Sequence, residues 1–272
     1  MKAHARVSAS VALLLSLGMM TGCAKLKARD QLTKGVAAFK NAQYEQATNA
    51  FQKAIEFDPT YDTAKLYLAT AYSYQVVPNA TDDNNMKLAN QAITGFKDYL
   101  AAHPNDKVSL QQLASIYRNI KKYPEAKQYE QQVIAVDPQD SEAHYTIGVV
   151  DWIEAYDNAR KALAVDGLQD NGDGNPKMSK KTCDLLKTQN TDLVKDGLNH
   201  LQQATTLNTT YDEAYQYLNL TWRRQADLDC GNPAAVKQDI ANAEKASQDA
   251  MGARKINDQK KEEKQKGGVT MQ

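Results

Sequence analysis

The chain has 272 residues, with 33 basic residues balanced by 33 acidic ones and 42% hydrophobic content. Such a balance suggests neither nucleic acid nor an anionic membrane as a partner. Phe and Trp are scarce and long stretches lack Gly and Pro, so the composition predicts an all-α chain with an apolar core.

Taken in chain order, the first segment is a targeting signal. Lys2, His4 and Arg6 precede an apolar run from Val11 to Met20, about half of the roughly 20 apolar residues that a spanning helix needs. This is the n-region and h-region pattern of a secretory leader, residues 1–22. Met20, Thr21 and Gly22 lead to Cys23, and the stretch resembles the bacterial lipobox, in which the cysteine becomes the acylated first residue of the mature protein. That resemblance implies a fatty-acid (palmitate) anchor on Cys23, with an ordinary cleaved leader as the alternative. Ala24, where an inner-membrane lipoprotein tends to carry Asp, points to the outer membrane facing the periplasm. Loss of the leader removes Lys2 and Arg6 and no acidic residue, leaving 31 basic against 33 acidic residues. Residues 23–29 are expected to be a lipidated linker, 30–257 the folded array and 258–272 a disordered tail, because "DQKKEEKQKGG" has no apolar face.

The next stretch, Gly35 to Pro59, sets a template: Gly35, Tyr44, Ala47, Phe51, Ala54 and Pro59. It resembles the tetratricopeptide repeat, TPR, in which small residues let two antiparallel helices approach, an aromatic fills the remaining space and proline ends the second helix. Leu113, Ala114, Tyr117, Tyr123, Ala126 and Pro138 repeat the pattern, and Pro104 to Pro138 is 34 residues, the TPR period. Between them Ala92, Phe96 and Pro104 mark a second repeat, lengthened by about 11 residues around "VVPNATDDNN" because Pro59 to Pro104 is 45. The C-terminal part follows more loosely. No breaker interrupts Ser141 to Val165, which predicts one extended helix, and a second runs from about Ser179 to Leu207 with Gly197, Leu201 and Ala204 in the pattern. A fifth pair begins at "DEAYQYLNLTWRRQADL" and ends in a capping helix to about Lys255. The expected fold is thus an α-solenoid of about five TPR-like pairs; another kind of α-solenoid, or a long-helix bundle in the C-terminal half, is the alternative.

Catalytic and metal chemistry is not suggested. His103, His144 and His200 lack metal-ligand spacing, and no HExxH, P-loop, GxGxxG or GxSxG occurs. In "QDNGDGN" the EF-hand alignment puts Gln169 and Lys180 where carboxylates are needed, so a plain flexible loop is expected. The sequons at Asn79, Asn208 and Asn219 are read as chance. Neither enzyme activity, nor a cofactor, nor a metal is implied. Cys183 and Cys230 are expected to form a disulfide, in a compartment where disulfides persist; two buried thiols are the alternative.

In function the chain resembles the TPR lipoproteins of double-membrane bacteria, some of which help assemble outer-membrane proteins, pili or peptidoglycan hydrolase complexes. The resemblance implies a scaffold for a protein or peptide partner, monomeric until the partner binds and held to the membrane by its lipid; a structural spacer or self-assembling array is the alternative. TPR grooves are lined by the first helix of each pair, which here gives Arg118, Asn119, Tyr145, Trp152, Arg223 and Arg224 as partner-binding residues, with Gln111, Ser115, Val149, Gln216 and Leu220 beside them. Leu32 and Val36 stand where a carboxylate clamp needs Lys and Asn. The expected ligand is a peptide with an apolar side chain and acidic neighbours. Alternatively, Trp152 packs its own helix and the arginines form a solvated face.

Overall fold

Proline and aspartate punctuate the backbone. Pro59, Pro104 and Pro138 each follow the end of a helix, and Asp82, Asp106 and Asp140 each cap a helix start by accepting from a backbone N–H three residues on, from Asn85, Ser109 and Ala143 at 3.0, 2.8 and 2.9 Å. The structure, a computed structural model, describes residues 23–268, with side chains through residue 265. The expected leader, 1–22, and the last four residues of the expected tail lie outside the described residues. Ten helices and no strands occur among the described residues. They are α1 (23–40), α2 (Tyr44–Phe57), α3 (Asp62–Ser73), α4 (Asp83–Ala102), α5 (Lys107–Asn119), α6 (Tyr123–Val136), α7 (Ser141–Val165), α8 (Lys180–Leu207), α9 (Asp212–Leu228) and α10 (Pro233–Gly268). The fold is all-α, a succession of five TPR-like helix pairs, divided into two units at Ala126/Lys127.

In the first unit α1, α2 and α3 pack around Ala47, Phe51 and Ala71, with Leu32, Val36 and Tyr67 against them. Gly35 is required where it stands, since a β-carbon there would overlap the Phe51 ring. The inserted stretch between α3 and α4 is fastened from below. Asn85, 3% exposed, accepts from the Val77 N–H at 2.7 Å and donates to the carbonyls of Val77 and Ala80 at 3.1 and 2.8 Å. One buried amide therefore replaces the ladder bonds that the insertion lacks.

The second unit carries the two long helices. α7 packs on α8 along Ala155, Ala159 and Ala162 against Leu186 and Val194, a seam of small residues facing large ones. Asn190 closes it, donating to the Ala155 carbonyl at 2.8 Å and accepting from Asn158 at 2.9 Å. Gly148 lets α8 in, because a β-carbon there would overlap the Leu201 side chain. α9 packs on α7, α8 and α10.

Two boundaries differ from expectation. Residues 23–29 are not a linker but the first turns of α1, already helical at Cys23; Lys, Leu, Ala and Arg there are strong helix formers, and Ala28 is fully buried. The residues 258–268 expected to be disordered instead continue α10. Lys, Glu and Gln hold a helix by propensity without an apolar face, helped by pairs such as Lys261–Asp258 at 3.8 Å.

Candidate partner-binding site

α7 places Tyr145, Trp152 and Tyr156 on one helical face, at spacings of seven and four residues. α9 adds Tyr217, whose ring meets Trp152 edge-on at 5.3 Å and Tyr145 edge-on at 5.7 Å. Trp152 and Tyr156 stack with centroids 5.1 Å apart and planes 15° from parallel. Tyr211 extends the strip, 4.8 Å from Tyr145, and donates its hydroxyl to Glu142. Burial and that carboxylate push the Tyr211 phenol above its usual range, so it stays protonated. The inner edge of the strip packs against Leu201 and Leu218, while Tyr156 remains 37% exposed. Edge-to-face and stacked rings of this kind form a stiff surface that takes apolar side chains or proline rings.

The two arginines do not line this surface as free charges. Arg224, 3% exposed, is turned inward: Nη2 donates to Asp170 Oδ1 at 2.8 Å, Nη1 lies 2.8 Å from Asp170 Oδ2 and 3.1 Å from Asp227 Oδ2, and the guanidinium sits 5.7 Å from the Tyr156 ring. Arg223 is half-buried and donates to Asn219 Oδ1 at 2.9 Å and to the Gly172 carbonyl at 2.8 Å. The reading of Arg224 as a groove charge is corrected, because an arginine dehydrated on α9 requires a carboxylate and the chain's own loop supplies it, while Arg223 is held by neutral acceptors, one of them in the same loop.

That loop, residues 166–179, is correspondingly not the plain flexible connection expected. Asp170, Asn171 and Asp173 each accept from a backbone N–H two residues on, at 3.0, 3.4 and 3.1 Å, and Asn175 donates to Asp227 at 2.8 Å. Gly172 and Gly174 take positive φ, and a β-carbon on Gly174 would press on Val236 and the Ala226 carbonyl. Burial raises the Asp170 pKa, but Arg224 outweighs it and holds the carboxyl below its usual range. At Asp227 burial wins and lifts the carboxyl to about 6.

Of the remaining predicted residues, Val149 is buried, 5% exposed. Arg118 and Asn119 end α5 in the first unit, where the Asn119 carbonyl accepts from the Asn79 N–H at 2.8 Å and so holds the insertion. Cys183 and Cys230 are joined by a disulfide, with Cα atoms 6.1 Å apart. Cys23 is exposed and unpaired.

Sequence reasoning missed Tyr156 and Tyr217, although four-residue spacing from Trp152 marked the first. It also missed a polar knot behind the strip. Lys127 Nζ donates to Asp151, whose side chain is fully buried, and to Asp196 at 2.8 Å. Burial opposes the Lys127 charge, but the two carboxylates outweigh it and raise the amine pKa. Burial lifts Asp151 to about 7 against the pull of Lys127. His144 and His200 meet at 2.9 Å between their Nδ1 atoms, and burial lowers both pKa values. A contact between two ring nitrogens needs one donor and one acceptor, so at least one ring is neutral. His103 falls at a helix end, capping α4 with its ring tilted against Tyr99, centroids 4.3 Å apart. No group of three or more His, Cys, Asp and Glu among the described residues is placed to hold a metal ion, and no helix among them is long and apolar enough to cross a membrane.

Residues 31–61 and 108–140 match the family model of the tetratricopeptide repeat, so the chain carries TPRs in its first and third helix pairs. No curated protein matches the chain in sequence. Among solved structures, MamA is similar at 16% identity with a TM-score of 0.55, over 83% of this chain and 96% of that one. MamA from Desulfovibrio magneticus RS-1 has 16% identity and a TM-score of 0.56, over 85% and 97%. YrrB, described as a TPR protein with an unusual peptide-binding site, has 14% identity and a TM-score of 0.50, over 83% and 90%. At these identities the likeness is one of fold alone.

Proposed function

We propose that the chain is a lipid-anchored periplasmic TPR scaffold, and that the strip formed by Tyr145, Trp152, Tyr156 and Tyr217 seats an extended segment of a protein partner. The observation that carries this reading is the set of linked rings on α7 and α9, with Tyr156 still exposed at its end. Aromatic anchors are enriched at binding hot spots. A peptide ligand is supported by the fold class, which is also that of YrrB. Because Arg223 and Arg224 are engaged by the chain's own loop, recognition rests on apolar or proline side chains and not on acidic ones. The lipobox-like stretch ending at Cys23 supports the anchor, and the Cys183–Cys230 disulfide fits an oxidising compartment.

Crosslinking and affinity capture from envelope membranes identifies the partner, and the Trp152→Ala/Tyr156→Ala variant tests the strip. Partner affinity should fall by at least about 2 kcal/mol while helical circular dichroism is preserved. Undiminished binding by that folded variant would move the site off α7. Sedimentation should show a monomer before the partner is added; concentration-dependent assembly of the pure chain favours the self-assembling array. Replacing Cys23 with Ala should abolish fatty-acid labelling.

A further inference from the structure

The first turns of α1 combine three features that the scaffold reading leaves unused. The helix is already formed at Cys23, so no flexible spacer separates the proposed acyl site from the first repeat. Lys25, Leu26 and Arg29 are all exposed, Leu26 at 67%. They fall within about 100° of the helix circumference, at 100° per residue, while Ala28, fully buried, faces the protein. Cys23 to Arg29 is about 9 Å at 1.5 Å per residue, close to the Debye length of about 8 Å at physiological ionic strength. Beyond this stretch the basic character ends, because Lys34 is paired with Asp30 at 2.7 Å. Lys27 points elsewhere, with its ammonium 5.6 Å from the Phe57 ring. The Lys25 charge also reaches Asp58, but that carboxylate is held first by its hydrogen bond to Thr60.

We propose that this face of α1 lies on the headgroups of anionic phospholipid, with Lys25 and Arg29 against phosphate groups and Leu26 entering the interface between them. The inference builds on acylation of Cys23: the acyl chains hold the helix start at the surface, and the charges decide which side of the helix faces it. An apolar residue flanked by cations suits a bilayer interface, where an aliphatic stem and a charged head lie at different depths. The first repeat then stands directly on the membrane instead of hanging from a tether.

Amine footprinting of the acylated full chain in vesicles tests this. Lys25 should react at least about threefold more slowly on vesicles containing a third phosphatidylglycerol than on phosphatidylcholine, since an anionic surface attracts the cation and covers the amine. Lys40, exposed at the far end of the same helix, serves as the internal reference and should react equally on both. The Leu26→Gln/Arg29→Gln variant and high salt should each remove the difference. Equal Lys25 rates on the two lipids, or a difference unchanged in that variant, overturns the proposal. Acylation is scored separately by flotation. A chain that fails to float contradicts the anchor reading alone; held on a chelating lipid by an N-terminal histidine tag at position 23, it is footprinted in the same way, so docking is decided in either case.

Discussion

Arg224 on α9 and Asp170 in the loop after α7 meet fork to fork, both guanidinium–carboxylate contacts at 2.8 Å, with side chains only 4% and 10% exposed. Removing the cation leaves Asp170 and Asp227 facing each other without compensation. Arg224→Ala should therefore cost about 3–5 kcal/mol, read as a shift of the urea midpoint. Arg224→Lys keeps the charge but not the fork and should fall between. A midpoint unchanged in the alanine variant would show that water replaces the guanidinium.

Stability should depend on pH through Asp239, which burial and the neighbouring Asp229 carboxylate push up to about 7. Its folded pKa lies above the unfolded value, so the folded state holds a proton that the unfolded state gives up near pH 4. The associated stabilisation is complete below pH 4 and is lost as pH rises to about 7. Asp239→Asn should consequently be more stable than the wild type at pH 8, by up to about 4 kcal/mol, and lose that part of the pH dependence. Denaturant unfolding of both chains at pH 5 and pH 8 checks it. Asp151, also at about 7, adds a slope of the same sign. His144 and His200 act oppositely: their lowered values remove stability as pH falls through the ordinary histidine range near 6.5.

The disulfide closes a loop with a sequence separation of 47. Loop-closure entropy for that length gives about 4 kcal/mol. Cys183→Ser/Cys230→Ser should lower the urea midpoint accordingly, and reductant should do the same to the wild type.

Two glycines should respond in opposite directions. Gly148→Ala drives a methyl into Leu201 and should cost about 1–3 kcal/mol. Gly252→Ala on α10 meets nothing within 4 Å and should gain about 0.5–1 kcal/mol of helix propensity. Thermal unfolding of the two variants suffices.

What could be read from sequence was local. Phe51 beside Gly35, the prolines after α2, α4 and α6, and the unbroken run from Ser141 to Val165 all follow from neighbours within a turn or one repeat. The knot around Lys127 joins residues 24 and 69 positions away, and Arg224 reaches 54 positions back to Asp170. No period connects such pairs, so the arginines read as open groove charges and the loop as slack. The tail from residue 258 departs from expectation for another reason: the absence of an apolar face excludes packing but not helix formation.

The loop of residues 166–179 has the Gly, Asn and Asp content and the position between long helices that proteases usually exploit. Cleavage requires a segment to unfold over several residues into an extended form, and here Arg223, Arg224, Asp227 and the Asp166–Ser179 contacts at 2.8 and 3.0 Å must all release first. The peptide bond after Lys177 is thus guarded by the second unit's own stability, and nicking there would report unfolding of α9 instead of surface exposure.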